Sequence, residues 1–150
     1  MQRHNTLRDA LVDALKDHNI ACAKEVPIGG CRRPADIALL SFDSRGSTAI
    51  DPVVNHPLCP GHNRTKDEAR HSLKQAEEQK VRESEDLCHG NGWLFTPMGF
   101  HPWGGVGPYA SAMLYKLEQQ IAGDLLGWPK RKLIATFRSK LTFALMAFVA

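Results

Sequence analysis

Apolar residues recur at helical spacing near the start of the chain. Leu7, Leu11, Val12 and Leu15 fall on one face and predict a first helix beginning near Thr6. Thr6-Leu7-Arg8-Asp9 fits a capping box, in which hydroxyl and carboxylate satisfy free backbone N–H groups, and His18-Asn19 closes the helix. Ile20 to Val26 reads as a strand ended by Pro27 and the Gly29-Gly30 pair. Residues 35–42 read as a second strand, Asp43-Ser44-Arg45-Gly46 as turn chemistry, and Thr48 to Val54 as a third strand. Pro52 lacks the N–H that a central ladder needs, so the third strand is expected at an edge or bulged there.

Asn55 to Arg64 is a loop rich in Pro, Gly, Asn and His. A second capping box, Thr65-Lys66-Asp67-Glu68, opens a long helix that runs to about His89 and stops at Gly90. Gly92 to Met98 reads as a short fourth strand, followed by a glycine-rich connection over 99–107. A helix starts at Pro108, which a first turn tolerates, and carries Met113, Leu114, Leu117, Ile121 and Leu125 on one face. Gly127-Trp128-Pro129 breaks it, and a basic-then-apolar helix runs from about Lys130 to the end. The order α-β-β-β-α-β-α-α predicts an α/β (α+β) fold, a small mixed sheet flanked by helices.

At 150 residues the chain has the length of one domain with a single sizeable core. The net charge of +3 permits a nucleic-acid partner without arguing for one. No basic start followed by an apolar segment marks a signal peptide, and no apolar run is long enough for a bilayer, so a nuclear or cytoplasmic protein without a membrane partner is expected. Cys22, Cys31, Cys59 and Cys88 form no CxxC pair, and reduced thiols are the default. His56, Cys59 and His62 stand at three-residue intervals, which admits a zinc-binding interaction domain, with Cys88 as a further ligand. The same residues also fit a loop with incidental His and Cys.

Two aspartates carry the chemistry. Asp36 stands among Ile37, Ala38, Leu39 and Leu40, and Asp51 among Ala49, Ile50, Val53 and Val54. A carboxylate in an apolar strand is costly to desolvate without a partner. Two brought together repel, and a divalent cation relieves the repulsion, as in oxygen-ligand Mg²⁺ sites. A hairpin with one solvated aspartate at each strand end fits the same spacing. On the helix after the loop, Ala69, Leu73, Ala76, Lys80, Ser84 and Leu87 share a stripe at about 100° per residue. Lys80 therefore stands on the face turned to the sheet, either reaching the aspartates or snorkelling to water. Lys74 lies off the stripe and reads as solvated. Trp93, Phe95, Trp103 and Tyr109 read as packing residues rather than base-stacking platforms.

Taken in order, Arg3-His4-Asn5, Arg33-Pro34-Ala35-Asp36-Ile37, Asp51 with Val53-Val54 and His56-Pro57-Leu58, Lys80, Cys88, Gly92-Trp93, Phe95, Pro97 and the glycines of 104–107 form a pattern. It resembles the restriction-like endonuclease domain of reverse-transcriptase proteins of non-LTR retrotransposons, within the PD-(D/E)xK superfamily. The resemblance covers Arg3 to about Leu125. It implies a restriction-endonuclease-like αβββαβα core over residues 1–128, with a separate C-terminal helix over 129–150.

The resemblance further implies DNA cleavage with Mg²⁺, or Mn²⁺ in its place. Asp36 and Asp51, with a backbone carbonyl near Val53, are then the metal ligands, and Lys80 the helix-borne catalytic lysine. Arg3, His4, Asn5, Arg32 and Arg33 become DNA contacts, and Glu25 an extra carboxylate. Element RNA becomes a partner through upstream domains, which the chain lacks, as a C-terminal fragment would. The departures are an alanine inside the PD motif, Pro52 directly after Asp51, and Val53 where the strand lysine usually stands. They leave open a nuclease-fold module that binds DNA without cutting it.

Overall fold

The computed structural model describes residues 2–29, 35–43, 46–55, 66–102 and 105–146. Helix α1 spans Gln2–Asp17, strands β1, β2 and β3 span Cys22–Val26, Ala35–Asp43 and Gly46–Val54, helix α2 spans Lys66–Gly90, β4 spans Leu94–Phe100, and α3 and α4 span Pro108–Ala122 and Gly127–Met146. The expected mixed α/β architecture is present, with all eight elements in the expected order.

The four strands lie side by side in chain order. β1 pairs antiparallel with β2, and β2 antiparallel with β3. β3 pairs parallel with β4 from Thr48–Leu94 to Val54–Phe100, and α2 supplies the crossover that a parallel pair requires. β3 is thus an interior strand, which corrects the expectation of an edge. Pro52 is accommodated because the described pairing with β2 ends at Ile37–Ile50, so its missing N–H interrupts no rung on that side.

Alternation along the strands divides their side chains between two faces. Ile37, Leu39, Ile50, Met98 and Phe100 join Leu7, Leu11 and Leu15 of α1, Leu114 and Leu117 of α3, and Phe137 and Leu141 of α4 in the main core. The opposite face carries Ala49 in a smaller cluster with Ile28, Cys88, Trp93 and Phe95 beneath α2. By the same alternation Asp51 shares the face of Ala49, and Asp36 that of Ala38.

Several boundaries differ from expectation. α1 begins at Gln2, so Thr6 lies inside the helix and forms no capping box there. The Gln2–Asn5 stretch contains no helix breaker, and the helix extends back through it. At its other end Asn19 takes φ 63°, the Asn19 N–H bonds Lys16 O and the Ile20 N–H bonds Leu15 O, a Schellman closure sealed by buried Ile20. α2 closes in the same way two residues beyond Gly90. Gly92, at φ 80°, donates to His89 O, and Trp93 donates to Cys88 O. α3 ends at Ala122, which leaves Leu125 exposed outside it. Gly127-Trp128-Pro129 forms the first turn of α4 rather than a break, because a proline at a helix start forfeits only an N–H that has no intrahelical partner. The proposed cap at Thr65 lies outside the described residues.

Candidate active site

The end of β3 is fastened to both of its neighbours. The Asn55 N–H bonds Phe100 O at 2.9 Å, and the Asn55 side-chain amide donates to Ser72 Oγ on α2. His101 Nδ1 lies 2.8 Å from Asn55 O. These contacts hold α2 over β3 and set which residues of the helix look down on Asp51.

Lys80 is one of them. Its Nζ stands 3.3 Å from Asp51 Oδ2, with the lysine side chain 33% and the aspartate side chain 21% exposed. The Asp51 carboxyl is raised from 3.8 to about 6, chiefly by burial and next by a hydrogen bond with Asp36, while Lys80 pulls it down. Asp36 is half-buried on β2. The three side chains singled out from the sequence therefore meet at one partly open spot beside α2.

This arrangement suits a hard divalent cation. Two carboxyls on adjacent strands, one raised because neither burial nor its neighbour tolerates its charge, are the donor set that a divalent ion relieves. Asp36 and Asp51 would hold it. Among the described residues no group of three or more His, Cys, Asp or Glu gathers as a metal cluster.

The other expected site residues are distributed differently. Arg3 and His4 fall in the first turn of α1, and Asn5 is exposed on that helix, which packs on the sheet face opposite Asp51. Glu25, at φ 53°, is engaged by Arg8, whose Nη1 donates to Glu25 Oε1. That ion pair, joined by Asp9 and Lys24, gives Glu25 a structural partner on α1 rather than a place with the aspartates. Arg32, Arg33, His56, Cys59, His62 and Trp103 lie outside the described residues. Cys88, in the last turns of α2, is buried against Ile28 and Ala49, and Trp93 and Phe95 pack there as expected. Lys74 is exposed.

One residue central to the site's support went unforeseen. Glu77, fully buried on α2, accepts hydrogen bonds from the N–H groups of Gly99 at 2.9 Å, Tyr109 at 3.0 Å and Ala110 at 2.8 Å. The chain after β4 doubles back so that Gly107 N bonds Gly99 O, which brings the start of α3 beside the end of β4. The carboxylate closes both, capping α3 from another helix. Burial raises its pKa, and the three backbone donors oppose that rise. A Cβ on Gly107 would collide with the Glu77 carboxylate, and one on Gly99 would stand 3.0 Å from Glu77 Cγ. Glu77 thus fixes α2 one turn before Lys80. The signal in the sequence is its position four residues after Leu73 and three turns before Cys88, both buried.

No protein-family model matches this chain. No curated protein matches it significantly either.

Proposed function

We propose that this chain is a Mg²⁺-dependent DNA endonuclease of the kind its sequence resembles, derived from a retrotransposon protein and acting inside the cell. The observation that carries the reading is the convergence of Asp36, Asp51 and Lys80 from β2, β3 and α2, with Lys80 Nζ 3.3 Å from Asp51 Oδ2. The β2–β3 register brings the two acids together at a partly exposed spot, and Lys80 meets them there from a separate element. Phosphodiester hydrolysis uses that combination.

A divalent cation bound by the two carboxylates would neutralise the scissile phosphate and lower the pKa of a water. Asp51 must surrender its proton to serve as a ligand, so cation binding competes with that proton and should strengthen as pH rises. The Lys80 ammonium, released from Asp51 in part when a cation takes over that carboxylate, is placed to orient a water or to stabilise charge on the reacting phosphate. Val53 cannot supply the strand lysine, and Lys80, arriving from the helix, answers that gap.

The test is incubation of the purified chain with supercoiled plasmid and Mg²⁺ beside an Asp51→Ala control. Nicking by the wild type alone supports the endonuclease. Equal nicking by both attributes the activity to a contaminant, and retained DNA binding without nicking makes the chain a nuclease-fold binding module.

A further inference from the structure

A basic surface lies on another flank of α2, about 80° around the helix from Lys80. Arg70, His71 and Lys74, all exposed, line a cleft of about 420 Å³ together with Val106 and Gly107 of the preceding connection and Pro108 and Ser111 of α3. Among the side chains described, which exclude those of residues 66–69, no acidic group forms an ion pair with any of the three. The attraction for an anion comes from these side chains, since Glu77 already occupies the N–H groups of Tyr109 and Ala110.

We infer that the Arg70–His71–Lys74 cleft binds the phosphate backbone of duplex DNA as a handhold separate from the cleavage site. The inference rests on the endonuclease reading for its choice of polyanion. Arg70 lies about 15 Å along the helix axis from Lys80 and about 80° around it, so the two surfaces face different stretches of backbone. A contact of this kind carries affinity and register without reading sequence. It acts on binding and leaves the reacting phosphate to Asp36, Asp51 and Lys80.

The test compares the wild type with the Arg70→Ala/Lys74→Ala double variant. Affinity for a duplex oligonucleotide is measured without divalent cation across a salt series, and plasmid nicking is measured at saturating DNA with Mg²⁺. Both residues are exposed on a helix and alanine preserves helix, so the fold is retained, with thermal denaturation as the check. The expected result is binding at least about tenfold weaker near 0.1 M salt, a salt slope shallower by about 2, and an unchanged nicking rate at saturation. Equal affinity and slope in both proteins, or no duplex binding by either, overturns the handhold while leaving the cleavage site to be judged by its own variants. Saturation by inorganic phosphate at submillimolar concentration without salt-sensitive duplex binding also overturns it, because the cleft then takes a free anion. Weakened binding in the double variant together with no nicking by the wild type sustains the handhold and removes the endonuclease.

Discussion

Lys80 Nζ lies 3.3 Å from Asp51 Oδ2, joining the middle of α2 to the interior strand β3. Beside them Asp36 hydrogen-bonds the same carboxyl, so on top of the burial that chiefly raises it Asp51 titrates under two opposed neighbours, Asp36 raising it and Lys80 lowering it. Carboxyl NMR separates them. Wild-type Asp51 is expected to titrate near 6, the Lys80→Met variant above that, and the Asp36→Asn variant below. A titration near 4 in all three proteins would place Asp51 in water, away from both partners.

The same carboxyl makes stability depend on pH. Its folded pKa of about 6 lies above the ordinary 3.8, so its contribution is fully present below the unfolded value and lost as pH rises through the folded one. The rise corresponds to about 3 kcal/mol. Between pH 4 and pH 7 the wild type should therefore lose on the order of 2–3 kcal/mol relative to Asp51→Asn, which has no such proton to release. Urea denaturation of both proteins at the two pH values reads this, and parallel behaviour of the pair would refute it.

Removal of Lys80 separates chemistry from folding. The pair is partly exposed and Asp51, left alone, can keep its proton near pH 6, so Lys80→Met should unfold within about 1 kcal/mol of the wild type there. Its nicking rate should fall roughly a hundredfold or more, as for other groups that stabilise reacting charge. Nicking at the wild-type rate would show that the lysine only snorkels.

Glu77 behaves in the opposite way. Its replacement by alanine strands three backbone N–H groups and opens a void, which should cost about 3 kcal/mol or more. Gly107→Ala, whose new methyl meets a carboxylate pinned by three donors, should cost about 1–3 kcal/mol. Chemical denaturation checks both, and a neutral result for Glu77→Ala would mean that α3 is capped by other means.

The strands and the carboxylate pair were legible because alternation is a strict local rule. Once β2 and β3 are recognised, Asp36 and Asp51 fall on the faces of Ala38 and Ala49 without further information. Lys80 was legible only in part. Helical periodicity located the stripe to within about 40°, but centred it on Leu73, Lys80 and Leu87, whereas Leu73, Glu77 and Cys88 are buried and Leu87 is exposed. The difference arises because Glu77 is stabilised by Gly99, Tyr109 and Ala110, donors that only the tertiary fold delivers. A buried charge whose partners are all backbone leaves no charge pattern in the sequence. Pro52 sits on an interior strand for a similar reason, since the length of the β2 pairing, which no local pattern reveals, decides whether its missing N–H matters. Glu25 is diverted by Arg8, a contact between two elements whose separation in the chain hides it.

The central claim is that Asp36 and Asp51 jointly hold one divalent cation. Mn²⁺ titration followed by electron paramagnetic resonance at pH 7.5, on the wild type and the Asp36→Asn and Asp51→Asn variants, tests it most directly. One ion is expected per wild-type chain, with binding lost or much weakened in each variant. Undiminished binding in both variants, or none in the wild type, would contradict it.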